Sequence, residues 1–114
     1  MVTIQERRNQ CSKLLKDGMR INLWDPKFNV HNDWKHEVAK CKLLYELKKE
    51  GKQAIGEAIF KNGARADILI LDTFQVIEVL NSETESEALR KEDYYPFEID
   101  ILYKDCKEVL YKDY

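Results

Sequence analysis

The chain has 114 residues, 44% of them apolar and 35% charged, with a formal net charge of −2. That length supports one domain with a core of its own rather than two, the composition excludes a disordered chain, and no apolar run reaches the length of a membrane span. The near-neutral balance also excludes polyanion binding by net charge alone; local basic clusters such as Arg7-Arg8 with Lys13 and Lys16, or Lys48-Lys49 with Lys52, are interleaved with acids and read more simply as solvated helix faces.

The opening residues MVTIQERRNQ lack the basic-then-apolar layout of a signal peptide, and the three cysteines, Cys11, Cys41 and Cys106, are odd in number and dispersed. A reducing, cytoplasmic setting is expected, with the thiols acting as small buried apolar groups. No Cys-x-x-Cys or His-x-x-x-His pair supports a structural zinc.

In chain order, Thr3 to Asp17 reads as a helix: Thr3 and Glu6 form a capping box, Ile4, Cys11, Leu14 and Leu15 an apolar stripe, and Gly18 a stop. Residues 19–32, with Pro26 and scattered aromatics, read as a connector anchored by Trp24 and Phe28. A longer helix is predicted from about Asp33 to Glu50, with Trp34, Val38, Cys41 and Tyr45 at i, i+4, i+7 and i+11, widened by Leu44 and Leu47, and closed by Gly51. Three antiparallel strands follow: Gln53 to Lys61, joined by Asn62-Gly63 as a type I′ hairpin to Arg65 to Leu71, which turns through Asp72-Thr73 into Gln75 to Asn81. Ser82-Glu83-Thr84-Glu85 predicts a short helix to about Glu92, Pro96 introduces a fourth strand from Phe97 to Tyr103, and the tail KDCKEVLYKDY a last short helix. The expected architecture is a single α/β domain over residues 1–114, with a core of about 33–103 and a mixed four-stranded sheet. The second helix packs against that sheet and the N-terminal helix lies outside the core. Rings left over from so small an interior, including Trp24, Phe28, Tyr94, Tyr95, Tyr111 and Tyr114, lead us to expect a homodimer.

The chemistry sits in ARADILILDTFQVIEVLNSE, where Asp67 and Glu78 each interrupt an apolar strand. A carboxylate in such a run is costly to bury unless it is paired or bound to a metal. Asp67 shares a strand face with Leu69 and Leu71, and Glu78 shares one with Val76 and Leu80. If the faces coincide, the pair can hold one hard cation; a one-residue slip in register separates them and leaves two surface acids. Glu57, between Ile55 and Ile59 on its strand, likewise needs a cation. Glu98 and Asp100 read as the wet face of an edge strand. Arg65 is placed to reach a phosphate or to pair with a neighbouring acid. His31 and His36 are assigned no metal.

The order helix, three-stranded meander, helix, fourth strand resembles the core of the restriction-endonuclease-like, or PD-(D/E)xK, nuclease superfamily. RAD at 65–67 looks like its first acidic motif and Glu78-Val79-Leu80 sits where its (D/E)-x-K tripeptide belongs. HEVAKCKLLYELKKEG followed by EAIF, RADILIL and IEVLNSE is similar to archaeal, viral and competence-associated branches of that superfamily. The resemblance spans about Trp34 to Tyr103. It implies hydrolysis of DNA phosphodiester bonds with Mg²⁺ or Mn²⁺, with Asp67 and Glu78 as catalytic metal ligands and Glu57 and Glu37 completing the shell. Leu80 stands in place of the family's lysine and has no donor to offer a water or phosphate; Lys40, from the helix that covers the active face in this family, is the candidate substitute, and otherwise an ordinary surface lysine. The alternative to a nuclease is a catalytically inactive module of the same fold that binds nucleic acid or a protein partner.

Overall fold

Local signals set the helix ends. Thr3 Oγ1 accepts from the Glu6 amide at 3.1 Å while the Thr3 amide donates to Glu6 Oε2 at 3.3 Å, closing the expected capping box at the start of α1 (Ile4–Leu14). Asp33 caps α2 (Trp34–Lys49) by accepting from the Lys35 amide. The computed structural model describes residues 3–81, 95 and 99–111. The helix expected from Ser82 and the start of the fourth strand at Phe97 lie outside the described residues, as do Glu98, Tyr94 and Tyr114.

Strands β1 (Ala54–Ile59), β2 (Arg65–Ile70), β3 (Gln75–Leu80) and β4 (Asp100–Asp105) form one sheet in that order, followed by α3 (Cys106–Tyr111). β1, β2 and β3 are an antiparallel meander, and β4 runs parallel to β3, so the sheet is mixed as expected. Exposed Asp100, Lys104 and Asp105 mark β4 as a charged sheet edge. The β1–β2 turn differs from the type I′ expectation. Neither Lys61 nor Asn62 has a positive φ, whereas Gly63 does (91°), and Phe60 pairs with Ala64 around a three-residue loop. This is the longer hairpin, with glycine at the one left-handed position.

Two apolar clusters lie on opposite faces of the sheet. On one, Ala39, Leu43, Leu44 and Leu47 of α2 meet Ala54, Ile68, Ile70, Ile77 and Val79, with Cys106 of α3 at the margin. On the other, Cys11 and Leu15 join Ile55, Phe60, Leu69, Leu71, Val76 and Tyr95. The N-terminal helix is thus part of the core, not outside it: Cys11 is fully buried, and Arg8 Nε lies 2.6 Å from Asp72 Oδ1 in the β2–β3 turn. Among the expected interface rings, Tyr95 is buried, edge-on to Phe60 at 5.8 Å, and Trp24 donates its indole N–H to Lys52 O. Phe28, expected as an anchor, is exposed, as is Tyr111.

The face that α2 buries is not the one its apolar spacing indicates. Trp34, Val38, Cys41 and Tyr45 are exposed; the buried side carries Glu37, Ala39, Lys40, Leu43, Leu44 and Leu47. Two charged residues occupy positions on the packed stripe, and hydropathy alone therefore selects the wrong side. Cys41 is correspondingly not a buried thiol, while Cys11 and Cys106 are. Among the described residues no helix is long and apolar enough to cross a membrane.

The outer edge of β1 is covered by the N-terminal segment. Leu14 O accepts from Lys61 N, Lys16 N donates to Ile59 O, Trp24 N donates to Ala54 O, and Gly56 N donates to Asp25 O. Gly56 permits this approach: a Cβ there would stand 2.6 Å from Asp25 O and 2.8 Å from Pro26 O, both backbone atoms. Gly56→Ala is therefore expected to cost about 1–3 kcal/mol, the usual penalty of forced overpacking, read as a lower urea midpoint with an unchanged m-value.

Candidate functional site

Three acids occupy the same level on three adjacent strands. The β1–β2 register pairs Gly56 with Ile68 and Ala58 with Ala66, which puts Glu57 opposite Asp67. The β2–β3 register pairs Ile68 with Ile77, which puts Glu78 beside Asp67 on the other side. Leu69, Leu71 and Val76 belong to one cluster, so the faces carrying Asp67 and Glu78 coincide. The ladder is interrupted along this row. Val79 N donates to Asp67 Oδ2 at 2.8 Å, and Glu57 has a φ of 50°, in the left-handed region that costs a side-chain-bearing residue about 1–2 kcal/mol. The kink also resets side-chain alternation: Ile55 and Ala58 both enter the cluster that contains Cys11 and Leu15, although strict alternation would send them to opposite faces.

What holds Glu57 in this conformation is α2. Lys40, fully buried, places Nζ 2.7 Å from Glu57 Oε1 and 3.0 Å from Glu37 Oε1. Glu37 is saturated: Oε1 also accepts from Asn29 N at 2.6 Å, and Oε2 lies near Asn32 Nδ2 at 3.2 Å and His36 Nδ1 at 2.7 Å. Four donors fill the four lone-pair sites of one carboxylate. The other ring nitrogen of His36, Nε2, lies 3.2 Å from Asp67 Oδ2. A neutral imidazole has one N–H, so facing two carboxylates with both nitrogens requires the imidazolium.

The titration of these groups follows from the contacts. Burial by itself would lower the His36 pKa, but hydrogen bonds and charge from Asp67 and then Glu37 raise it to about 9. Burial would raise that of Glu37, yet the Asn29 amide, His36, Lys40 and Asn32 together hold it down at about 2. Asp67 is also held below its ordinary value: burial opposes this, and His36, the Val79 amide and a hydrogen bond from Glu78 outweigh it.

Beside this network is a cavity of about 480 Å³ whose wall includes Glu57, Asp67, Glu78, Asn29, Asn32, Arg65 and the Asn62-Gly63 turn. The acids expected to act together, Glu57, Asp67 and Glu78, all reach this cavity. Glu37 and Lys40 lie behind it, buried in the ion network. Lys40 is thus not a surface lysine. Leu80 is half-buried at the end of β3. His36 was assigned no role from sequence and is a central member; its place one turn before Lys40 and next to Glu37 was the available signal. Asn29 and Asn32, whose amides anchor Glu37, were also missed. Among the described residues, no three His, Cys, Asp or Glu side chains stand together as a preformed metal cage; Lys40 engages Glu37 and Glu57, and His36 engages Glu37 and Asp67.

No protein-family model matches this chain, and neither a curated protein nor a solved structure does.

Two outcomes test the network. Lys40→Met leaves Glu37 and Glu57 without their shared cation and is expected to cost about 3–5 kcal/mol. Adding Glu37→Gln and Glu57→Gln recovers much of that loss, a non-additivity that chemical denaturation of the single and triple variants measures. The second concerns pH. With a folded pKa of about 2 against an ordinary 4.5, Glu37 stabilises the fold above pH 4.5, and that contribution disappears as pH falls toward 2. With a folded pKa of about 9 against 6.5, His36 stabilises the fold below pH 6.5 and ceases to as pH rises through 9. Each contribution is on the order of 2–3 kcal/mol. The metal-free protein is therefore expected to be most stable between pH 4.5 and 6.5, and His36→Asn to flatten the alkaline limb in urea midpoints recorded against pH.

Proposed function

We propose that this chain is a divalent-metal-dependent phosphodiester hydrolase acting on DNA, with the restriction-endonuclease-like architecture. The observation that carries the reading is the meeting of Asp67 and Glu78, opposite each other on adjacent strands, on one cavity wall. Two carboxylates on one wall offer a divalent ion a pair of hard oxygen donors. Mg²⁺ commonly takes one or two carboxylates and keeps several waters, so this pair suits it without a full protein cage. The order of α2, antiparallel meander and parallel fourth strand supports the same reading, as does RAD on β2.

In this reading Asp67 and Glu78 hold Mg²⁺ or Mn²⁺, which supplies Lewis-acid polarisation of the phosphate and of an attacking water. Glu57, on the cavity wall with Oε1 fixed by Lys40, is the group placed to accept a proton. Arg65, exposed on the same wall, pairs with a phosphate oxygen. Lys40 and Glu37 are positioning residues: buried behind the cavity, they fix Glu57 and His36 instead of touching substrate. One observation favours a second reading, a nuclease-fold module that binds without cleaving. Leu80 fills the motif's lysine position, and Lys40 is too deeply held to replace that lysine at the phosphate.

Calorimetry with Mn²⁺ separates the two. Binding at millimolar concentration or tighter is expected, and Asp67→Asn or Glu78→Gln should abolish the heat and any Mg²⁺-dependent cleavage of DNA. Leu80→Lys is expected to raise cleavage, by up to the ~10²-fold that one charge-stabilising donor contributes. Absence of Mn²⁺ binding leaves the non-cleaving module as the function.

A further inference from the structure

Three exposed apolar side chains belong to the stretch that supplies two residues to the acidic cavity. Phe28, Val30 and Trp34 are 63%, 90% and 61% exposed and fall within one short stretch of chain. That stretch supplies Asn29 and Asn32 to the cavity wall. The Asn32 amide donates to Asn29 O at 3.1 Å and the Asn29 amide donates to Glu37, so the turn between the two rings is pinned to the buried ion network. Phe28 is adjacent in sequence to Asn29, and Trp34 lies two residues from Asn32; at 3.8 Å between successive Cα atoms, both backbones stay within one side chain's reach of the cavity rim. Cations are close by. Lys35 Nζ lies 5.9 Å from the Trp34 ring, and Arg65 lines the cavity.

We infer that Phe28 and Trp34 form a stacking platform for unpaired bases, and that the polymer this site takes is single-stranded nucleic acid whose backbone is led by Lys35 and Arg65 past the acids. Exposed rings set among cations are the elements that bind single strands without sequence preference, each stacked base contributing through its π-face. In a duplex the bases are already stacked on one another and the rings gain no such contact. The acidic row by itself repels phosphate, and Arg65 is the cation that shares the wall with it. This inference takes from the proposed hydrolysis only the identity of the polymer; binding at the rim does not require the metal.

The test is fluorescence anisotropy of a labelled thymidine oligonucleotide, and of a duplex of the same length, in EDTA so that neither metal binding nor cleavage enters. The single strand is expected to bind the more tightly. Phe28→Ala and Trp34→Ala should each weaken it roughly 5–100-fold, Trp34→Phe should retain most of the affinity, and duplex binding should change little. Both side chains are exposed, so the variants should melt within a degree or two of the parent, and their Mn²⁺ heats should be unaltered. Equal affinity for the two forms, no measurable oligonucleotide binding, or alanine variants that bind like the parent would overturn the platform. A protein that binds the oligonucleotide but not Mn²⁺ would leave the platform standing and remove the hydrolase.

Discussion

The ammonium of Lys40, fully buried between Glu37 and Glu57, is the contact on which the rest of the site depends. A lone charge in that position would be prohibitive, and the protein answers with geometry. Glu57 leaves the ordinary strand conformation to reach the cation, the sheet ladder opens on either side of Asp67, and the gap is where a side-chain carboxylate takes over a backbone amide. Strain of this kind persists only where its surroundings over-determine it, and it concentrates at functional positions. The acids would otherwise be three like charges in a row. Lys40 and the His36 imidazolium turn that repulsion into an ordered lattice of hydrogen bonds built from the protein's own groups.

The sheet was readable because its signals are local. Asn62-Gly63 placed the first hairpin even though the turn proved to be the three-residue form, and the alternation of Ala66, Ile68 and Ile70 around Asp67 and Leu69 gave β2 its place. Coincidence of the Asp67 and Glu78 faces was not determined by alternation, which allows either register; the turn through Asp72 to Phe74, with Phe74 at a φ of 55°, settles it. The helix beside the sheet was harder to read. Hydrophobic periodicity assigns the core side of α2 to Trp34, Val38, Cys41 and Tyr45, since it counts Glu37 and Lys40 as surface residues. Those two are buried because they neutralise each other and Glu57, a property of pairs across elements that no single stretch of sequence displays. The left-handed backbone of Glu57 is invisible for the same reason, being imposed by a residue seventeen positions away.

The exposed side of α2 and the turn before it then become intelligible. With its charged stripe turned inward, the helix leaves its aromatic residues, Trp34 and Tyr45, outward, and this is the inversion that misled the periodicity argument. A core containing an ion network in place of some apolar volume is not obviously more stable than an apolar alternative. What it provides is placement: Asn29, Asn32, Glu37 and His36 hold the rim, the helix and the sheet in one register.

The N-terminal segment that runs along β1 has a bearing on how the chain matures. Its hydrogen bonds join Leu14, Lys16, Trp24 and Asp25 to residues between Ala54 and Lys61, contacts that span some thirty to forty-seven positions of sequence. Such long closures form slowly compared with a hairpin. Until they do, β1 presents a free edge composed of Ala54, Ile55, Gly56 and Ala58, small and apolar residues with no proline and only Glu57 to break the run. That edge is a template for strand addition by a neighbouring molecule. A single carboxylate, the one bound by Lys40 in the finished protein, is during folding the gatekeeper that keeps an unfinished sheet from recruiting another chain.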